Sequence, residues 1–101
     1  MTEFRYSLWG EIDLENAHDV RDDLRTFMRA STTDLVLDCS ELTFIDTFGI
    51  TVLLGIHWDL EAEGRRLLIA SVAPSVARAF EILHLGDLLF YDHNDPQGSH
   101  A

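Results

Sequence analysis

The feature that most constrains this chain is the way its apolar periodicity changes within 101 residues. From Phe4 to Trp9 the period is two: Phe4, Tyr6 and Leu8 fall on one side, and Arg5, Ser7 and Trp9 on the other. That alternation belongs to a strand with one buried face and predicts an edge strand. After Gly10 the period changes. Leu14, Ala17, Val20, Leu24, Phe27 and Met28 recur at spacings of three and four, with Asp and Arg between them. An amphipathic helix of about four turns is expected there, with Asp13 positioned to accept a hydrogen bond from an orphan N–H at its start.

The same alternation continues to the end of the chain. Leu35, Val36 and Leu37 form a continuous apolar run between Asp34 and Asp38, as expected for a central strand covered on both faces. A second helix should begin near Asp46 or Thr47. It carries Ile50, Val52, Leu53, Leu54, Ile56, Trp58 and Leu60, and it stops at Gly64, where glycine suits the left-handed position after a final turn. Residues 67–70 read as another buried strand. Pro74, with Ser71 before it, opens a third helix that ends by Gly86, and residues 88–91 form a last strand. Strands alternating with helices predict one α/β domain over residues 1–91, built on a mixed, mostly parallel sheet of four to five strands with right-handed crossovers. Residues 92–101 hold almost no apolar side chains and are expected to form a flexible tail.

Charge narrows the function classes. Eighteen acidic residues stand against seven basic ones, all arginine and all scattered, for a net charge of −11. Phosphate-backbone binding needs clustered positive charge, so nucleic acid is not an expected partner, and an anionic membrane surface is disfavoured for the same reason. At 47% hydrophobic residues the chain is too apolar for a disordered acidic tail. A core of this size buries about two thirds of the unfolded surface, which disfavours a deep enclosed active site. Cys39 is the single cysteine and has no partner for an internal disulfide. With no basic, apolar leader at the N-terminus and no run approaching the roughly 18 apolar residues of a membrane span, a soluble, unprocessed cytoplasmic protein is expected.

Sites in open α/β sheets gather where strand ends meet helix starts. One such junction stands out: Leu42-Thr43-Phe44-Ile45-Asp46-Thr47-Phe48-Gly49-Ile50. A hydroxyl on Thr47 would sit at the positive end of a helix dipole and could carry a phosphoryl group, with Gly49 allowing another backbone or a phosphate to approach. The plainer reading is that Asp46 or Thr47 caps the helix. Other constellations are weaker. His57 and Asp59 are two residues on neighbouring helical faces, short of a metal site, and are expected on a solvated helix surface. His84, His93 and His100 read as a helix end and a solvated tail. Ser40 and His57 lack a nucleophile elbow and a third member. Asp22 and Asp23 fit an exposed helix face with Arg21 and Arg25, and Trp9 and Trp58 read as packing residues, with an exposed interface aromatic as the alternative for Trp9. Neither metal, cofactor nor catalysis is expected.

The stretch LVLDCSELTFIDTFGITVLL, residues 35–54, resembles the signature of STAS domains, the family shared by sulphate transporter tails and bacterial anti-sigma factor antagonists. Gly10-Glu11-Ile12-Asp13 is similar to the segment before the family's first helix. Val72-Ala73-Pro74-Ser75-Val76 with Phe80–Leu83 is similar to the one before its last strand. The resemblance covers nearly the whole chain. It implies an anti-sigma factor antagonist whose Thr47 is phosphorylated by an anti-sigma factor with a kinase-like ATPase fold and restored by a cognate protein phosphatase. Unphosphorylated, such a protein binds the anti-sigma factor; phosphorylated, it is released. Asp13, Asp46, Thr47, Phe48 and Gly49 are then the expected docking surface. Phe48 departs from the pattern, since the family usually has a second small hydroxyl residue there. That substitution supports an alternative, a STAS docking subunit of a transporter ATPase or signalling complex without a phosphorylation cycle.

Overall fold

A computed structural model describes residues 4–82 and 90–92. Its elements run β1 (Arg5–Ile12), α1 (Ala17–Met28), β2 (Leu35–Ile45), α2 (Thr47–Glu61), β3 (Leu67–Ala70), α3 (Pro74–Ile82) and β4 (Phe90–Asp92). The strands lie in the order β1-β2-β3-β4. Every pairing among the described residues is parallel, which corrects the expectation of a mixed sheet. Four described strands form the sheet: β1, β2 and β3 make its body, and β4 adds only three residues at the edge beyond β3. The expected tail lies outside the described residues except for Asp92, which closes β4.

β1 keeps its two-residue period, with Leu8 and Ile12 buried and Arg5, Ser7, Trp9 and Glu11 exposed. The strand runs on through Gly10, whose φ of +74° is open to glycine without strain. β2 is eleven residues long, not three. Its first half is buried on both faces at Leu35, Val36 and Leu37 and pairs with both neighbours. The second half pairs with β1 alone, through two register shifts that leave extra residues in β2. Outward-facing Ser40, Glu41 and Thr43 disguise this half as a loop in the sequence.

α1 begins at Ala17, three residues later than the apolar spacing suggests. The Asp13 carbonyl accepts the N–H groups of Asn16 and Ala17 at 3.1 and 2.8 Å, closing a turn before the helix, and Asn16 takes the N-cap position. Leu14, whose spacing matched the helix, sits in that turn and is exposed. α1 lies on β1 through Phe27, whose ring stacks on Phe4 at 4.4 Å and tilts against Tyr6 at 4.9 Å. α1 and α2 pack side by side, and α3 contributes Val76 and Phe80 to the core they share with the sheet. Trp58 is exposed, a correction to its reading as a packing residue, and Trp9 is exposed as well, in line with the alternative of a surface aromatic. At the opposite end of β2 from α2, Asp34 clamps β2 to β3. Its carboxylate accepts the Arg66 backbone N–H at 2.8 Å and the Arg66 Nε–H at 3.0 Å.

Candidate functional site

β1 and β2 end together, and that shared ending builds the site. Ile12 pairs with Ile45, and Asp46, the next residue, donates its backbone N–H to the Ile12 carbonyl at 3.1 Å. Asp13 and Asp46 are thus the first residues past a paired strand end. The turn after Asp13 is held by its own polar groups. Asp13 Oδ1 accepts the Glu15 N–H at 3.0 Å, the Asp13 N–H donates to Asn16 Oδ1 at 2.9 Å, and Asn16 Nδ2 donates to the Glu11 carbonyl at 2.7 Å.

Asp46 is the N-cap of α2. Its backbone is extended, and Oδ1 accepts the N–H groups of Phe48 at 2.9 Å and Gly49 at 3.1 Å. Two of the four orphan donors at the helix start are thereby satisfied by one carboxylate oxygen. This settles which residue caps. Thr47 is the first residue of the helix and is exposed, and the helix start does not call on its hydroxyl. The Thr47 carbonyl accepts the Thr51 hydroxyl at 2.7 Å. A hydroxyl in this position lies beside the positive pole of the helix dipole and next to a carboxylate.

Of the two approaches that Gly49 could allow, the structure shows that of another backbone. A Cβ there would stand 2.6 Å from Ile45 Cγ1, 2.8 Å from Ile12 Cγ2 and 3.1 Å from the Ile12 carbonyl oxygen. The backbone that comes close is β1 itself, so the glycine seats α2 on the strand ends. It is buried, and its contribution to any docking surface is indirect. Phe48 is 51% exposed and Leu14 59%, which gives the junction an apolar rim beside its two carboxylates. The structure therefore brings Asp13, Asp46, Thr47, Phe48 and Gly49 together, four at the surface or half-buried and the fifth beneath them.

The competing constellations do not assemble. His57 is buried on α2, against the expectation of a solvated helix face; its Nδ1 has no hydrogen-bond partner among the described residues and its Nε2 lies 4.0 Å from Glu61 Oε1. The apolar character of α2 on most of its sides explains the burial. Asp59 instead pairs with Arg25 across the two helices at 3.3 Å, leaving Asp22 beside Arg21 at 3.5 Å. Ser40 is exposed, with its N–H donated to Asp38 Oδ1. Cys39 is buried, and desolvation, with the neighbouring Asp38 charge, pushes its thiol up to about 12. Groups of three or more His, Cys, Asp or Glu able to hold a metal are not found among the described residues. His84, His93 and His100 lie outside them. No described helix is long and apolar enough to cross a membrane.

Comparison with known proteins agrees with this architecture. The family model of the STAS domain matches residues 4–95. A sulfate transporter of Equus caballus is 39% identical over 67 residues, which is 66% of this chain but 8% of the transporter. The anti-sigma-B factor antagonist of Staphylococcus aureus (strain NCTC 8325 / PS 47) is 23% identical over 86 residues, covering 85% of this chain and 80% of that protein. Among solved structures, a Thermotoga maritima protein described as a candidate anti-sigma factor antagonist superposes with a TM-score of 0.80 at 18% identity, covering 98% of this chain and 86% of that one. The anti-sigma factor antagonist SpoIIAA in its unphosphorylated form gives 0.72 at 25% identity, over 94% of this chain and 84% of that one. Bacillus SpoIIAA in the phosphorylated form gives 0.64 at 25% identity, over 94% and 86%.

Proposed function

Because the chain belongs to the STAS domain family, we propose that it is an anti-sigma factor antagonist, a regulatory binding protein controlling sigma-factor-dependent transcription in the cytoplasm. In its unphosphorylated form it docks on an anti-sigma factor with a kinase-like ATPase fold through Asp13, Asp46, Thr47 and Phe48, with Gly49 seating the helix that carries them. The partner then transfers the γ-phosphoryl group of ATP to Thr47 Oγ. The Oγ–P bond forms as the bond to the bridging oxygen of ADP breaks, and the hydroxyl proton passes to a base, a role this reading gives to Asp46. A cognate phosphatase hydrolyses the ester and resets the cycle.

The observation that carries this reading is the division of labour between Asp46 and Thr47. Asp46 caps α2, so the exposed Thr47 hydroxyl can be modified without unmaking the helix start. A phosphate there adds about −1.5 to −2 charge. The helix N-terminus tolerates it, while a partner packed over Phe48 meets new like charge beside Asp13 and Asp46 and a desolvation cost. Release follows without refolding. The existence of solved SpoIIAA structures in both unphosphorylated and phosphorylated forms is consistent with such a cycle in a relative.

Incubation with the kinase-like anti-sigma factor and Mg-ATP tests the reading. One phosphoryl group should be gained by the wild-type chain and none by Thr47→Ala. A phosphate retained in Thr47→Ala rejects the assignment. The exposed Phe48 favours a second reading, a docking subunit of a transporter ATPase or signalling complex. In that case the chain binds its partner but its mass stays unchanged.

A further inference from the structure

β1 is an edge strand: β2 pairs with one side of it, and no described residue pairs with the other. Which groups face outward follows from the ladder. The Phe4 carbonyl accepts the Val36 N–H at 2.9 Å and the Ile12 carbonyl accepts the Asp46 N–H at 3.1 Å, so the even-numbered residues turn their backbone toward β2. Strand alternation turns the odd-numbered ones away, and the Glu11 carbonyl, which accepts from Asn16 Nδ2 instead of β2, follows that direction. Ser7 and Trp9 therefore present backbone N–H and C=O groups that no described residue takes up. At eight residues β1 exceeds the usual strand length, and it contains neither of the residues, proline or lysine, that commonly blunt an open edge.

Beside that edge, between β1 and α1, lies a slot of about 180 Å³. Tyr6, Trp9 and Glu11 of β1 line it together with Val20 and Asp23 of α1. Both charged side chains in the lining are acidic. Neither is ion-paired among the described residues, where the ion pairs formed use Asp22, Asp34, Asp38, Asp59, Glu61 and Glu63. Burial, and after it the Asp23 charge, pushes the Tyr6 phenol up, so the field of that carboxylate reaches the slot. Trp9 is 75% exposed. Unpaired carboxylates beside two aromatic rings match an arginine or lysine side chain, and unused ladder groups match an extended backbone. A second copy of the chain is the poorer match, because two molecules of net charge −11 meeting at this acidic edge repel.

We propose that β1 takes on an added strand from a basic partner protein, an extended segment whose backbone pairs with Ser7 and Trp9 and whose arginine or lysine enters the slot beside Glu11 and Asp23. The proposal does not rest on the anti-sigma factor reading, since none of these residues belongs to the docking surface around Thr47.

Titration of the full chain with the peptide acetyl-Val-Arg-Val-Arg-Val-amide, followed by NMR, tests it. Saturable amide shifts confined to β1 and to α1 around Val20 and Asp23 are expected, with hydrogen exchange at the Ser7 and Trp9 N–H groups slowed severalfold at saturation. The peptide N-methylated either at its valines or at its arginines separates the ladder from simple charge. Whichever set faces β1, its methylation should weaken binding at least tenfold, as should glutamate in place of both arginines. Glu11→Gln and Asp23→Asn should each lower affinity severalfold and together at least tenfold, with melting temperatures near wild type, so lost binding is not lost folding. Undiminished binding by both methylated peptides overturns the added strand. Undiminished binding by the double variant, or shifts spread over the acidic surface at large, overturns the slot. A chain that dimerises without peptide, with the Ser7 and Trp9 amides already protected, gives the edge to a second copy and overturns the basic partner. Absence of saturable shifts overturns the whole proposal.

Discussion

Two glycines of α2 lie six positions apart and have opposite relations to the fold. Gly49, in the first turn, has no room for a methyl group, because Ile45 and Ile12 stand within 2.8 Å of where its Cβ would be. Gly55, in the middle, has open space. The first turn is over-determined: a carboxylate cap, a strand-to-helix hydrogen bond and a wedged glycine all hold it. The middle is under-determined, since an intrinsically poor helix former faces a groove between α1 and α2 that none of the described residues fills. Residues that present a modifiable hydroxyl need a rigid base.

Substitution at the two positions should therefore give changes of opposite sign. Gly49→Ala carries the largest expected effect, a destabilisation of about 1–3 kcal/mol from overpacking against backbone and two isoleucines. In a domain of this size the melting temperature drops by about 4–8 °C per kcal/mol. A melting temperature equal to wild type would show that the first turn can shift and that the contrast is false. Asp46→Ala comes next, at about 1 kcal/mol for loss of the cap. Asp46→Asn sharpens the picture, because asparagine caps about as well while removing the charge. Its melting temperature should stay near wild type even though the carboxylate beside Thr47 is gone. Gly55→Ala should stabilise the free chain by about 0.5–1 kcal/mol, read as a higher denaturant midpoint. A lower midpoint would mean that the groove is closed in solution.

Much of this contrast was legible in the sequence at one position and invisible at the other. β3 was read to the residue, because a four-residue apolar run bounded by Arg66 and Ser71 has few alternatives. The start of α2 was equally clear, since Asp-Thr before a glycine and an apolar run is a cap signal, although spacing could not decide whether Asp46 or Thr47 did the capping. β2 was cut short because two register shifts and three outward polar residues break its period. Leu14 drew α1 too far toward the N-terminus, as an apolar residue at helical spacing can sit in a turn. The α1–α2 groove depends on how two helices pack, which no local pattern encodes. Its one local trace was Gly55, an unexplained glycine inside a helical run.

The smallest expected effect gives both glycine variants a common reference. The Asp34 carboxyl is held below its usual range chiefly by the Arg66 backbone N–H, with the Arg66 side chain adding to it. Asp38 is lowered in the same direction, first by the Ser40 N–H. A carboxylate whose pKa is lower folded than unfolded contributes stability that is fully present above the unfolded value, about 3.9. That contribution fades as the pH falls through the folded value. Stability should therefore be level near neutrality and decline below about pH 4. Asp34 keeps about a third of its side-chain surface exposed, so solvent screening limits its share to under about 1 kcal/mol. Asp34→Asn should flatten the acid limb by that amount. Asp34 lies at the far end of β2 from Asp46, and distant sites usually add. Gly49→Ala and Gly55→Ala should then show the same acid limb, displaced down and up respectively. A limb that changes shape in either variant would mean that the α2 turn and the β2–β3 clamp are coupled through the sheet.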